Sequence, residues 1–285
     1  MQRIELLVIA VILGAVGSGS AGQSPEDEYR RLLDAFQRAG GGGAPSDSER
    51  MKLIARVYRE RSRVALELVE LAERHPADPV AVKALSHAVW QVNTNPWPIE
   101  IVGEDPARPR ALALLERDHI RSDALGSVCE RLSHGFCREY ETFLRAVHEK
   151  SPREEVRGQA CLALARFLKN RMQRLHLIEG NADLGREFEG LFGKEYLDEL
   201  KRGDRARAVR EVEDLLELAA ETYGSVKLSD GATVGEKARA ELSEIRDLAA
   251  GKAAPETEGE DQDAKRFKLG DYRGKVVLLD FWSEY

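Results

Sequence analysis

The sequence predicts a mainly α protein. A long series of short helices fills residues 24–250, and a segment of different character, 251–285, follows it. Three observations predict this. Apolar residues recur at three- and four-residue steps from Ile54 to Ile245, the period of helices with one buried face. Proline or acidic starts punctuate the chain, as at Ser24-Pro25, Asp78-Pro79 and Ser151-Pro152. After Pro255 the pattern changes. Val276 to Phe281 is an apolar, β-branched run broken only by Asp280, which is how a buried strand reads.

The first stretch reads as a targeting segment. Arg3 is followed by an apolar core, Leu6 to Leu13, then by small residues, with a cleavage site at Gly19-Ser20-Ala21. The core is too short to span a bilayer comfortably, so residues 1–21 are expected to be a signal peptide. An uncleaved membrane anchor is the alternative. The expected location is exported, periplasmic or extracytoplasmic.

Each helix has a local reason. Ser24-Pro25-Glu26-Asp27 supplies a cap, a first-turn proline and acids for the positive helix end, and that helix runs to about Arg38. Gly40 to Gly43 is a break. Ser46 with Glu49 reads as a capping box opening a long helix that carries Ile54, Val57, Val64, Leu68 and Ala72 and ends at His75-Pro76. Asp78-Pro79 restarts the chain, with Val82, Leu85, Val89 and Val92 on one face. Asn93 to Pro98 is turn-rich, and Asp105-Pro106 opens the next helix through Leu112 and Leu115. Leu125, Val128, Cys129 and Leu132 form a stripe, and Phe136, Tyr140, Phe143, Leu144 and Val147 another.

Ser151 with Glu154 reads as a capping box for a helix bearing Val156, Ala160, Ala163, Leu164 and Phe167. Asn170 to Arg205 reads as charged and looser, and Val209 to Tyr223 as helical. Thr233 and Glu236 cap the last helix, with Ala238, Leu242, Ile245 and Ala249 on one face, stopped at Gly251. The order of hairpins resembles a tetratricopeptide or HEAT-type array, though no repeat consensus matches and an irregular helical domain fits the same residues.

Composition narrows the function. With 42% hydrophobic residues the chain can build a core, and a net charge of −7 argues against a nucleic-acid footprint, Lys and Arg being spread along the helices. The three cysteines, Cys129, Cys137 and Cys161, include no C-x-x-C pair. They read as small buried hydrophobes, a Cys129–Cys137 disulfide being the sharper alternative. None of His75, His87, His119, His134, His148 and His176 makes a paired metal site, and His87 reads as structural. Glu211 with Asp214 reads as a solvated face, Glu70 with Arg74 as helix support, and Trp90 and Trp97 as core. No P-loop, dinucleotide fingerprint or G-x-S-x-G is present, and no cofactor or metal is expected.

The segment 251–285 carries a resemblance. Ala254-Pro255, then Asp261 to Lys265, then Phe267-Lys268-Leu269, then Asp271-Tyr272-Arg273-Gly274-Lys275 lead into Val276 to Phe281 and Asp280-Phe281-Trp282. This order resembles the exported redoxins of the thioredoxin-like superfamily, TlpA-like and AhpC/TSA-like. There an Ala-Pro leads to a short hairpin, an L-x-D-Y-x-G-K element and a central strand ending just before a Cys-x-x-Cys motif. Ala264 departs from the usual Gly and Gly270 from the usual Ser.

The resemblance implies the first strands of a truncated thioredoxin-like α/β domain, ending at Tyr285 before its redox cysteines. It also implies that Asp280 transfers a proton, that Trp282 packs beneath the active-site helix, and that Tyr285 precedes the nucleophile. A sequencing gap, a frameshift, a true stop or a selenocysteine codon read as a stop would each account for the end. The implied function is an exported thiol–disulfide oxidoreductase acting on protein thiols and disulfides, with a helical domain that binds a protein partner. The alternatives are a peroxide-reducing redoxin and a non-enzymatic helical interaction protein. No nucleic acid and no stable membrane span are expected.

Overall fold

A computed structural model describes residues 24–39, 47–93, 106–247, 252–261 and 263–280. The chain is mainly helical. Eleven α-helices occur among the described residues: α1 Pro25–Ala39, α2 Asp47–Arg74, α3 Pro79–Asn93, α4 Ala107–His119, α5 Leu125–Leu132, α6 Arg138–Lys150, α7 Glu154–Glu179, α8 Ala182–Phe192, α9 Lys194–Arg202, α10 Arg205–Thr222 and α11 Val234–Asp247. Two short antiparallel strands follow, β1 Glu258–Glu260 and β2 Arg266–Lys268, and then a 3-10 turn, Leu269–Tyr272. The expected signal peptide, the Gly40–Gly43 break, Ser46, the turn after Asn93, Asp105, Ala249 and Gly251 lie outside the described residues, as do the side chains of Glu49, Ile54, Trp90 and Val92 and the whole of Trp97.

The caps show why the helices begin where they do. The Ser24 hydroxyl accepts the Asp27 N–H at 3.1 Å while the Asp27 carboxylate accepts the Ser24 N–H, so two end donors are satisfied reciprocally. Asp78 takes the Val80 N–H at 2.8 Å, and Asp204 the Arg207 N–H at 3.1 Å. Thr233 and Glu236 close a full capping box at α11. Ser151 does not cap α7. It is buried, its hydroxyl accepts only the Arg153 N–H at 3.4 Å, and the helix starts two residues later than a Ser151–Glu154 box requires.

α7 is the spine. Its residues Ala160 to Ala165 are buried without interruption, so no face of this turn meets water. Such a helix must be surrounded, and α5, α6, α8, α10 and α11 all pack on it. Gly158 permits one of these contacts, since a Cβ there would lie 2.7 Å from the Cβ of Tyr223. α1 to α4 pack in sequence beside this group, and one continuous apolar cluster joins them through Leu68, Leu85, Leu115, Leu144, Phe167 and Leu216. Phe167 is fully buried, and its removal would open a cavity in the middle of the cluster.

Three expectations about the helical part need correction. Asn170 to Arg205 is not loose: α7 continues to Glu179, and α8 and α9 follow. A second cluster holds them, in which the Phe136 ring meets Phe188 at 5.2 Å, Phe192 at 4.8 Å and Tyr196 at 6.0 Å. Arg74 is attracted by Glu70 on its own helix but also pairs across helices with Glu28 at 2.8 Å, so it does more than support one helix. Glu211 is not merely a solvated face, because it takes one end of Arg145 at 2.6 Å.

Candidate functional site

The hairpin and the run after it are the candidate site. β1 and β2 pair Glu258 with Lys268, Gly259 with Phe267 and Glu260 with Arg266. Both outer pairs oppose charges, an arrangement that steadies a two-stranded ribbon. The Asp261 carboxylate organises the connection by accepting the N–H groups of Asp263 at 3.0 Å and Lys265 at 2.9 Å. Glu256 accepts the Gly270 N–H at 2.7 Å, and the Asp271 carboxylate accepts the Lys268 N–H at 3.0 Å. The Phe267 and Tyr272 rings meet edge to face at 6.4 Å, and Lys275 sits over Tyr272.

Two backbone positions tie this geometry to the sequence. Gly274 has φ +80°, so the turn into Val276 uses a conformation that suits glycine. Ala264 has φ +61° in the hairpin connection. This is the position where the resembled redoxins carry glycine, and an alanine pays for left-handed backbone there.

Beyond Gly274 the expected strand does not form within the described residues. Val276 to Asp280 has no regular secondary structure and no ladder partner, Leu278 is 91% exposed, and Asp280 is exposed. The reason is that a strand is stabilised by its neighbours, and β1 and β2 pair only with each other. The desolvation expected of Asp280 is therefore not present in this arrangement. Trp282 and Tyr285 lie outside the described residues.

The cysteines are free and buried, and no Cys129–Cys137 disulfide is formed. Burial pushes the Cys129 thiol far above its ordinary range. Cys137 stands at the start of α6, where a helix terminus and the nearby Arg108 favour a thiolate, yet burial prevails and pushes it up to about 12. Cys161, donating to the Leu215 carbonyl at 3.4 Å, is likewise pushed up to about 12 by burial. Such thiols are small hydrophobes and not nucleophiles.

Elsewhere the polar clusters are occupied structurally. A cleft of about 410 Å³ lies between α5, α7 and the loop before α11. Its groups are engaged: Glu130 accepts from Ser229, Gln159 donates to the Lys227 carbonyl, and Arg166 is held by Glu241. His87 is half-buried, with Nδ1 2.7 Å from the Tyr29 hydroxyl, and burial lowers its pKa. Among the described residues no three His, Cys, Asp or Glu side chains gather as a metal site, and no helix is long and apolar enough to cross a membrane.

Two polar clusters carry no clear sequence signal. In one, Arg166 and Lys169 on α7 hold Glu241 on α11. The other is centred on α6. Glu141 binds both Arg145 and Arg171, and Arg145 also binds Glu211, joining α6, α7 and α10. Only the Glu141–Arg145 spacing signals any part of it. No protein-family model matches the chain, and no curated protein or solved structure matches it significantly.

Proposed function

We propose that this chain is an exported thioredoxin-like thiol–disulfide oxidoreductase in which a helical-hairpin array precedes the redox domain. The observation that carries the reading is the order of residues after Ala254-Pro255. A two-stranded hairpin, the Asp271-Tyr272 turn and the Gly274 turn lead into an apolar run ending at Asp280. The hairpin supports the reading because it stands where the resembled redoxins have theirs, and the positive φ at Ala264 falls where they use glycine.

In that role a cysteine or selenocysteine at the next position after Tyr285 would attack the substrate disulfide. A second cysteine three positions later would then resolve the mixed disulfide. Asp280, once its strand is enclosed by a sheet, would carry the resolving proton. Cys129, Cys137 and Cys161 take no part, since burial keeps all three protonated.

The test is peptide mapping by mass spectrometry of the protein made by its own cells, coupled to an insulin-reduction assay. The expected result is a Cys-x-x-Cys or selenocysteine-x-x-Cys peptide joined to Asp280-Phe281-Trp282, with turnover above free thiol. Residues 1–285 alone are expected to give none. A C-terminal peptide ending at Tyr285, or turnover lost on Cys129→Ala or Cys137→Ala, would contradict the proposal.

A further inference from the structure

Lys and Arg read as evenly spread in the sequence, but the fold gathers some of them. From Arg50 to Arg63, α2 carries six basic residues and one acid, Glu60, in a chain of net charge −7. Lys52, Arg56, Arg59 and Arg63 are exposed, and their 4-3-4 spacing puts them on one face. Past Arg63 the sign reverses to Glu67, Glu70 and Glu73. Acids toward the C-terminal end of a helix are disfavoured by its dipole, and here neighbouring cations offset that cost. Glu73 is held by Arg110 at 2.8 Å, and Glu67 by Arg63.

Apart from Arg63, the exposed bases of this face have no such compensation. Arg63 takes Glu60 and Glu67, which leaves none of the local carboxylates for the others. Arg59 turns its Nε to the Ala55 carbonyl, and Arg38 on α1 turns its Nε to the Asp34 carbonyl. Arg38 and Arg56 line one shallow groove with Ala35, Val57 and Glu60. Among the described residues, Arg38, Lys52, Arg56 and Arg59 have no ion-pair partner.

We infer that this face of α1 and α2 rests on an anionic lipid bilayer. Among the described residues, α1 and α2 expose no large apolar side chain of the kind a protein partner would grip. Phe36 is covered by the Arg61 guanidinium at 4.4 Å and Tyr58 is half-buried, so no ring is offered for nucleobase stacking. Long exposed cations without an anchor suit a diffuse negative surface, where shape complementarity is not needed. The bilayer assignment rests also on the proposed export, which would bring the apolar run Leu6 to Leu13 to the membrane, and α1 and α2 are the described helices nearest to it in sequence.

The test is co-sedimentation of the full chain with two kinds of vesicle, pure phosphatidylcholine and phosphatidylcholine enriched in phosphatidylglycerol. The neutral vesicles measure whatever the apolar run contributes alone. The expected result is tighter binding to the anionic vesicles, lost as salt rises. Lys52→Gln/Arg56→Gln/Arg59→Gln should weaken anionic binding by on the order of 100-fold and leave neutral binding unchanged. Equal binding to both vesicles, or an unchanged preference in the triple variant, would overturn the inference. So would a salt-sensitive dimer or single-stranded nucleic-acid complex appearing in place of vesicle binding. A triple variant that fails to fold leaves the wild-type salt titration to decide, and binding indifferent to salt would count against it.

Discussion

The helices α1 to α11 and the segment 252–280 contain the same kinds of apolar residue but put them to different use. Leu68, Leu85 and Phe167 are buried, whereas Val276 and Leu278 stand in solvent. A helix satisfies its backbone within itself, so it needs only one neighbour for its apolar face. A strand needs neighbours for both backbone and side chains. The hydrogen bonds of residues 255–275 run within that segment, from Glu256 to Gly270 and from Thr257 to Leu269. Among the described residues the helices bury their apolar faces on one another, and Val276 and Leu278 stay exposed.

The largest effect should come from comparing one residue of each part. Phe167→Ala is expected to destabilise the chain by about 3–5 kcal/mol, read by denaturant unfolding followed at the helical signal. Leu278→Ala in residues 1–285 should change it by less than about 0.5 kcal/mol, since nothing packs on it. Comparable losses would mean that the run is part of the folded core.

Next comes Glu141→Gln, which leaves Arg171, with only 14% of its side chain exposed, lacking its carboxylate. A loss of about 2–3 kcal/mol is expected in the same unfolding experiment. Ala264→Gly should relieve the left-handed strain and steady the hairpin by about 0.5–1 kcal/mol, seen as slower amide exchange in β1 and β2.

Acid should act on the helical part in two stages. Burial lowers the His87 and His119 pKa values below the ordinary 6.5, so these rings stabilise the fold while neutral and lose that contribution as pH falls through this range. Burial opposes ionisation of Glu141, but Arg171 and Arg145 outweigh it and hold the carboxyl below the ordinary 4.5. Its contribution is present above that value and is lost at lower pH. His87→Asn should flatten the first stage in melts recorded from neutral to acid pH, and leave the second.

What was legible followed the same division. The Leu125, Val128, Cys129 and Leu132 stripe and the Thr233–Glu236 cap are local signals, and both stand in the structure. α8 and α9 were missed because Phe188, Phe192 and Tyr196 find their partner in Phe136, distant in sequence and hidden among charges. The Arg145 and Arg171 network is non-local too, as is the basic face formed by Arg38 with Arg56. At the candidate site the hairpin and the Gly274 turn could be read from residue order. The exposure of Asp280 could not, because an apolar run is enclosed only by neighbouring strands, and β1 and β2 pair only with each other.

On the proposed function, Val276 to Asp280 would be a sheet-enclosed strand in the protein made by its own cells. Hydrogen exchange at the Val277, Leu278 and Leu279 amides tests it most directly, compared between residues 1–285 and the protein isolated from its own cells. The expected result is near-random-coil exchange in the former and protection of at least ~1000-fold in the latter, the level of a central strand. Equally fast exchange in both would contradict the claim.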